Sequence, residues 1–428
     1  MDKICSVEIN QQLATVMRET EKYGIKIDTK LLNNLSKKLE KELDKIVKEI
    51  DVLLGQKINL NSPKQLSEVL YEKLAMQSGT SGIRYGKLHL STSKESLEKI
   101  KHKHPVIEKI LRYREIAKLK NTYVDPLPKL VDENDRLHTH YAIDTSTGRL
   151  SSNNPNLQNI PVRTKMGQQI HKAFVAEKGY KLIKADYSQI ELRVMAHLAQ
   201  DKAMMKIFRE GGDIHAQTAK EMGCTRRMAK VVNFGVLYGM SAYGLADRLK
   251  IPVEEAQFFI DKYFMTFAGV KNYINKLIAQ AKKTGDVTTM FGLKRQIPEL
   301  KSANERVYNF GKRIAINTPV QGSAAEIIKI AMIKLAYSFQ PLAIRQKNIF
   351  NNQKQIADSR EQNILRLRLG QARMLLQIHD ELVFEAPKDD IQKTVKIIKE
   401  TMENAVKLSV PVKVKIEVGN NWQEMIEM

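Results

Sequence analysis

The sequence predicts an α+β protein, with long helices in its first part and an antiparallel sheet supplied mainly by its last part. Three observations carry this prediction: an amphipathic segment at residues 30–54, a strand that runs into a helix at 181–198, and a hairpin pattern at 376–385. Apolar residues recur every three or four positions in helices and alternate or run together in strands. A last alternating stretch at 412–418 adds one more strand to the predicted sheet.

The first 125 residues are mostly helical by pattern. The segment at residues 30–54 carries one apolar face, formed by Leu31, Leu35, Leu39, Leu43, Ile46, Val47 and Ile50. Ser62 and Pro63 predict a helix start, because serine is a good N-cap and proline is tolerated at the first helical position. A Gly- and Ser-rich stretch at 79–93 predicts an exposed tip, and further helix is expected at 105–121. On its own, this region is typical of a solvated helical bundle.

Asp186 lies where the predicted strand KLIKAD meets a helix. From Gln189 onward, apolar residues return at helical spacing, at Ile190, Val194 and Leu198. An acidic residue at the carboxyl end of a strand can face a ligand at the edge of the sheet. The alternative is that it caps the following helix, since Asp and Ser are both good N-caps.

A second acidic group interrupts an apolar run near the end of the chain. The segment LQIHDELVFE leads into His379, Asp380 and Glu381 and then returns to apolar residues, which indicates a tight hairpin with an acidic pair at its tip. Two carboxylates from distant strands, brought together, form a site for hard divalent cations. The two stretches therefore favour a metal site formed by Asp186 and the acidic pair at the hairpin tip, Asp380 and Glu381.

The composition points to a polyanionic partner. The 428 residues include 70 Lys plus Arg against 48 Asp plus Glu, a net charge of +22. A positive field of this size suggests nucleic acid, with acidic lipid as the alternative. We expect no membrane insertion, because no long uncharged apolar span and no signal peptide are present. Two cysteines indicate a reducing compartment without a disulfide framework, and hence a cytoplasmic location.

A third stretch carries a stripe of cations and aromatic rings. Arg226, Lys230, Phe234 and Tyr238 recur every fourth residue, and twelve residues of helix span about 18 Å. The stripe matches a nucleoside triphosphate, because cations bind phosphates and a ring stacks on the sugar or base. The alternative is a basic face that continues into two core-packing aromatic residues. The two acidic stretches make the nucleotide interpretation the stronger one.

Together these stretches resemble the signature motifs of family A DNA polymerases, the bacterial DNA polymerase I type. DYSQIELRVMAHL is similar to the first motif, RRMAKVVNFGVLYG to the second and QIHDELVFE to the third, while TGRLSSNNPNLQNIPVR and RIAINTPVQGSAAEIIKIAM resemble further family segments. The likeness extends from about Leu13 to Trp422. It implies a right-hand polymerase fold with an antiparallel palm sheet. The implied parts are a lead-in at 1–29, a helical thumb at 30–125, the palm at 126–200 and 301–428, and helical fingers at 201–300.

The resemblance implies template-directed DNA synthesis with two Mg²⁺ ions held by Asp186 and Asp380. It implies that Glu381 supports this site and that Lys230 also protonates the pyrophosphate. The implied nucleotide-binding residues are Arg226, Lys230, Phe234, Tyr238, Glu191, His215 and Gln189. Among them, Glu191 would exclude a ribose 2′-hydroxyl, and Phe234, where some relatives have Tyr, implies poor use of dideoxynucleotides.

The resemblance also implies partners, namely primer–template DNA and deoxynucleoside triphosphates, for a monomeric enzyme of gap-filling repair or replication. It implies that the enzyme is bacterial and is associated with the nucleoid in the cytoplasm. The implied DNA contacts are Arg149, Asn156, Asn159, Arg313, Asn317, Gln321 and His379. Minor-groove contacts read acceptors that all base pairs share, which suits an enzyme without sequence preference.

The sequence departs from the family pattern in three places. The connection from His215 to Arg226 is short, so we expect trimmed fingers, and this departure bears on the implied role of His215 more than on those of Arg226 and Lys230. A Gln-, Asn- and Arg-rich segment at 338–370 is expected to be a surface insertion. The first 125 residues contain no Asp-x-Glu exonuclease pair, so the chain is expected to extend primers without proofreading.

Two other functions stay open at this point. The first is a catalytically impaired DNA-binding remnant, against which Asp186, Asp380, Arg226 and Lys230 argue. The second is a single-subunit RNA polymerase, against which Glu191 and the bacterial-type thumb argue.

Overall fold

The computed structural model describes residues 4–73, 91–162, 164–339 and 372–428. The predicted insertion, from residue 340 onward, and most of the Gly-rich tip therefore lie outside the described residues. The chain divides into two compact units. The first unit comprises Met1–Ile25, His138–Asn159 and Ala176–Met428, and the second comprises Lys26–Leu137 and Ile160–Val175.

The described α-helices are numbered in chain order. They are α1 (Ser6–Tyr23), α2 (Thr29–Leu54), α3 (Pro63–Ser67), α4 (Lys94–Ile100), α5 (Pro105–Leu119), α6 (Lys165–Lys172), α7 (Ile190–Ala199), α8 (Lys202–Arg209), α9 (Ile214–Met222), α10 (Arg226–Leu237), α11 (Ala242–Leu249), α12 (Val253–Thr266), α13 (Ala268–Thr284), α14 (Glu305–Phe339) and α15 (Ile391–Glu403). Short 3₁₀ or π-helical turns lie at Glu68–Lys73, Lys120–Val124, Leu127–Lys129, Pro298–Lys301 and Lys388–Asp390.

The strands are shorter and fall into several sheets. They are β1 (Ile25–Lys26), β2 (Arg136–Leu137), β3 (His140–Ala142), β4 (Ser151–Asn153), β5 (Tyr180–Tyr187), β6 (Asp286–Thr288), β7 (Lys294–Gln296), β8 (Arg373–Ile378), β9 (Glu381–Pro387), β10 (Val414–Gly419) and β11 (Met425–Glu427). Five of them form one antiparallel sheet in the order β11-β10-β5-β9-β8.

The central strand of this sheet, β5, turns one face to the core. Ile183 and Ala185 are fully buried on that face, where they are opposite Phe384 and Leu382 of β9. The intervening Lys184 and Asp186 are half-buried on the other face, as the two-residue period of a strand requires. At the end of β5, the face opposite the core therefore carries the polar residues Lys184 and Asp186.

In each unit, side-chain caps mark where helices begin. Thr225 caps α10, because its side chain accepts a hydrogen bond from the Met228 amide (3.2 Å). The long helix α14 packs against α1 and α7 within the first unit. In the second unit α2 packs against α5, and the predicted cap Ser62 accepts a hydrogen bond from the Gln65 amide (3.4 Å).

The predicted fold class is confirmed, because helices are combined with an antiparallel sheet. The helix at 30–54, the hairpin and the last strand are also found where they were predicted. The alternative interpretation of Asp186 as a helix cap is wrong. Gln189 precedes the first residue of α7, and β5 continues through Tyr187. The division into palm, thumb and fingers stays a prediction. Within the described part of the chain, no helix is both long and apolar enough to cross a membrane.

Candidate active site

Asp186 and Asp380 come together at the end of two neighbouring strands. The register of β5 and β9 pairs Asp186 with Glu381, and the Tyr187 amide donates a hydrogen bond to the Asp380 carbonyl oxygen (3.1 Å). Asp380 follows His379 in the two-residue turn between β8 and β9, where His379 has a φ of 52°. The turn is tight because His379 adopts this left-handed conformation. The structure thus joins two acidic stretches that are almost two hundred positions apart.

Both carboxyl groups lie in an environment that disfavours a negative charge. Burial, helped by the charges of Glu191 and Asp186 and opposed by Arg149, raises the pKa of Asp380 to about 7. Burial raises the pKa of Asp186 to about 6, against the effect of Lys184 and with that of Glu417. Neither side chain has a hydrogen bond or an ion pair with the residues that the structure describes. A divalent cation would supply the missing positive charge, so the donor set fits such an ion.

The number of protein ligands is also informative. Across the described ranges, no group of three or more His, Cys, Asp or Glu side chains could by itself hold a metal ion. Mg²⁺ usually keeps several waters and binds through one or two carboxylates together with substrate phosphates. A site with two carboxylates therefore fits an ion that arrives with a nucleotide.

Glu381 lies beside this pair. Burial raises its pKa to about 7, against the effects of Lys184 and of the Trp422 indole, which donates a hydrogen bond to Glu381 Oε1 (3.0 Å). Lys184 itself forms an ion pair with Glu417 on β10. Sequence analysis missed Lys184, Glu417 and Trp422. Only Lys184 gave a signal, since it lies two residues before Asp186 and must share its face of the strand.

The predicted cation and aromatic stripe lies on α10. Arg226 is exposed and forms an ion pair with Asp213 (2.7 Å), and Lys230 is exposed and close enough to Asp186 to lower its pKa. The rings of Phe234 and Tyr238 stack with their centroids 6.0 Å apart. The cations in the first part of α10 and the rings at its end are thus in the predicted order, and the charge of Lys230 acts on Asp186.

Glu191 connects this helix to the loop before β4. Only 3% of the residue is exposed. Its Oε1 accepts a hydrogen bond from Arg149 Nη2 and its Oε2 accepts one from the Tyr238 hydroxyl. Gln189 is half-buried in the turn between β5 and α7.

A scan of protein families finds a match between residues 29–424 and the model described as DNA polymerase family A. The chain belongs to DNA polymerase family A. It is 44% identical to the thermostable DNA polymerase I of Thermus filiformis and 42% identical to the DNA polymerase I of Geobacillus stearothermophilus, over 97% of this chain and 48% and 46% of theirs. The chain therefore spans about half the length of these curated relatives.

A solved structure shows the same fold. The chain is similar to the POL domain of Pol1 from M. smegmatis, in complex with DNA primer-template and dNTP. The TM-score is 0.83 at 36% identity, over 96% of this chain and 70% of that chain. The right-hand polymerase fold that the motifs implied is thereby shown for this family A chain.

His215 is placed differently from the other predicted nucleotide-binding residues. It is 2% exposed, its Nδ1 lies 2.8 Å from Asn233 Nδ2, and its ring packs against Phe234 with the centroids 5.7 Å apart. Burial lowers its pKa to about 4, so the imidazole is neutral near pH 7. The structure does not bring His215 to the exposed face that carries Arg226 and Lys230.

The predicted DNA contacts lie on α14, in the loops on both sides of β4 and in the turn between β8 and β9. Arg313, Asn317 and Gln321 follow one another every four residues on α14, so they share one helix face. His379 and Arg149 line one cavity together with Asp380. Asn159 is exposed, whereas the side chain of Asn156 accepts a hydrogen bond from the Gln158 amide (3.0 Å).

A buried polar network supports the turn that carries Asp380. The Tyr141 hydroxyl donates to the Gln377 carbonyl (3.1 Å) and accepts from the Gln377 amide (3.0 Å). Gln158 Nε2 donates to Gln377 Oε1 (2.9 Å), and Gln377 Nε2 donates to the His379 carbonyl. Sequence analysis missed Tyr141 and gave Gln158 and Gln377 no role, because only the fold brings these three residues together.

Proposed function

We propose that this family A chain adds deoxynucleotides to a primer 3′-hydroxyl under the direction of a template. The observation that carries the proposal is the pair formed by Asp186 and Asp380. The two carboxylates are adjacent and have no described partner, and Lys230 is close enough to Asp186 to lower its pKa. Such a pair beside a cation suits phosphoryl transfer, in which positive charges stabilise a phosphorus centre under attack.

Each residue near the pair has a proposed role. Asp186 and Asp380 would hold two Mg²⁺ ions, which would supply activation of the 3′-hydroxyl and stabilisation of the leaving pyrophosphate. Lys230 binds the triphosphate and protonates the pyrophosphate. Arg226 exchanges Asp213 for a phosphate oxygen, since its side chain is exposed and its present partner is a surface carboxylate. Glu381 supports the carboxylates from the neighbouring strand position.

The nucleotide binds along α10. Phe234 and Tyr238 line the base and sugar, and Gln189 contacts the nucleotide from the turn before α7. Glu191 excludes a 2′-hydroxyl, because a buried side chain with both oxygens engaged cannot move away from the sugar. His215 packs behind Phe234 and reaches the triphosphate only if its ring becomes exposed.

Primer–template DNA is the proposed macromolecular partner. The net charge of +22 suits a polyanion. The similar mycobacterial domain was solved with primer-template and dNTP. Arg149, Asn156, Asn159, Arg313, Asn317, Gln321 and His379 are the proposed contacts. A monomeric enzyme that fills gaps in repair or replication is the role that we propose, and extension without proofreading stays a prediction.

Replacement of either carboxylate tests the proposal. We expect Asp186→Ala and Asp380→Ala each to lower the rate of single-nucleotide extension by about 10³-fold or more. Each variant would lack one ligand of the metal ions whose positive charge would stabilise the transition state. Duplex affinity, measured by fluorescence anisotropy, should change less than about threefold, because most of it comes from phosphate contacts. Asp261→Ala, at an exposed aspartate on α12, is the matched control and should keep full activity.

Three outcomes would contradict the proposal. Substantial synthesis by either variant would remove that aspartate from the metal site. Failure of the unaltered chain to extend a primer, with DNA still bound, would favour the impaired remnant. Preference for ribonucleotides in the same assay would favour an RNA polymerase.

A further inference from the structure

We infer that Arg149 determines sugar selectivity, because it holds Glu191 in place and also faces the primer end. The inference rests on the proposed DNA synthesis and deepens it. Glu191 is the group that excludes a 2′-hydroxyl in that proposal, and Arg149 is the positioning residue that makes the exclusion depend on the primer.

The first observation is the way in which Glu191 is held. The residue is 3% exposed, and its two carboxylate oxygens are engaged by donors from separate parts of the first unit. Tyr238 approaches from the end of α10, and Arg149 approaches from the loop before β4. A carboxylate bonded through only one oxygen could turn about its terminal bonds, whereas one bonded through both oxygens has a fixed orientation. The fixed orientation is what a steric filter for a single hydroxyl requires.

The second observation concerns the relative strength of the two bonds. Arg149 forms an ion pair with Glu191, whereas Tyr238 offers a neutral hydroxyl. Both bonds are charge-assisted, because the acceptor is a carboxylate, but only the bond from Arg149 adds the attraction between two full opposite charges. Loss of Arg149 would therefore release Glu191 more than loss of the Tyr238 hydroxyl would.

The third observation is that Arg149 has N–H donors that Glu191 does not use. Its side chain is 39% exposed, and a guanidinium has five N–H donors. It lines a cavity together with His379 and Asp380, on the side where the primer 3′-end would lie in the proposed reaction. Acceptors in the minor groove can bind the remaining donors. One guanidinium thus joins the primer end to Glu191.

This arrangement makes sugar selection depend on a correctly paired primer. A mismatched terminal pair shifts its minor-groove acceptors and draws Arg149 away from Glu191. The Glu191 carboxylate can then rotate away from the sugar, and the site accepts a ribonucleotide more readily. A variant without the Arg149 guanidinium should discriminate poorly between deoxynucleotides and ribonucleotides on matched and mismatched primers alike.

The experiment measures kcat/KM for a deoxynucleotide and for the ribonucleotide with the same base, on a matched primer. We expect Arg149→Met to lower the ratio of the two values by about 10- to 100-fold, which is the effect of losing one hydrogen bond to a charged group. Arg149→Lys should recover part of the ratio, and Tyr238→Phe should lower it less than Arg149→Met does.

Arg313→Met is the matched control. Arg313 is an exposed arginine and a proposed DNA contact on α14, so its loss should lower both kcat/KM values together and leave their ratio within about threefold. An unchanged ratio in Arg149→Met, with deoxynucleotide extension retained, would overturn this inference and leave the proposed function intact. Loss of all extension in the unaltered chain would instead overturn the proposed function.

A second arm needs no variant. We expect the unaltered chain to lose discrimination on a primer with a terminal mismatch, relative to the matched primer, whereas Arg149→Met should show the same low ratio on both. Equal ratios on the two primers in the unaltered chain would overturn the link to the primer. Fluorescence of Trp422, the single tryptophan, verifies that each variant is folded.

Discussion

Tyr141→Phe is the smallest change that tests whether the network beneath the β8–β9 turn matters for catalysis. The substitution removes one buried hydroxyl and leaves the ring in place. The hydroxyl makes two hydrogen bonds to the Gln377 backbone, one donated (3.1 Å) and one accepted (3.0 Å). Gln377 in turn supports the carbonyl of His379, next to Asp380.

The expected loss of stability in Tyr141→Phe can be calculated from these two hydrogen bonds. A typical hydrogen bond contributes about 0.5–1.5 kcal/mol net, so two of them amount to about 1–3 kcal/mol of the free energy of unfolding. The Gln377 carbonyl keeps Gln158 Nε2 as a donor (3.3 Å), but its amide loses its partner in a buried position. The loss should therefore be at the upper end of this range. A shifted turn misplaces Asp380, and we expect kcat to fall about tenfold or more.

Both quantities can be measured in the same preparation. Trp422 is the single tryptophan and lies buried in the first unit, so its fluorescence in urea reports the unfolding of that unit. Tyr187→Phe is the matched control, because the Tyr187 hydroxyl is also buried but donates to the Met402 carbonyl on α15 (2.8 Å). We expect the control to lose stability and to keep most of its kcat. Equal kcat values in Tyr141→Phe and the unaltered chain would refute the positioning role of the network.

Three further predictions concern other parts of the first unit and the charge of the chain. Gly148 has a φ of +75°, and a Cβ there would lie 2.8 Å from Leu293 Cδ2, so Gly148→Ala should lower the free energy of unfolding by about 1–2 kcal/mol or more. Gly179→Ala, at a φ of +88° with no neighbour within 4 Å, should lower it less in the same urea assay. The hydroxyl of Tyr263 is buried without a hydrogen-bond partner in the described chain, so Tyr263→Phe should leave the unfolding free energy unchanged or raise it by up to about 1 kcal/mol, and a clear loss would reveal a missed partner. Duplex affinity should fall at least about tenfold between 50 and 200 mM salt as counterions are released, and a flat response would mean that the positive charge does not bind DNA.

Much of the local structure could be predicted because it depends on neighbours in sequence. The period of apolar residues predicted α2 and the β8–β9 hairpin, and Ser62 and Pro63 marked the start of α3. The hairpin placed Asp380 at a turn because the apolar runs on both sides need a common core. These features follow from short-range rules of patterning and capping.

The rest depends on contacts between distant residues. The pairing of Asp186 with Glu381 is a matter of strand order, which the apolar pattern of either strand leaves undetermined. The bonds from Arg149 and Tyr238 to Glu191 join three separate stretches of chain. For the same reason, spacing alone could not show that His215 is buried against Asn233 while Arg226 and Lys230 are exposed.

The most direct test of the metal site is a crystal structure with primer–template DNA, an incoming deoxynucleotide and Mn²⁺ in place of Mg²⁺, read from anomalous scattering. We predict two anomalous peaks at the end of β5 and β9, each about 2.0–2.2 Å from an oxygen of Asp186 or Asp380, with the triphosphate completing the coordination. Peaks remote from these two side chains, or a nucleotide bound with its phosphates away from Lys230, would contradict the proposed site.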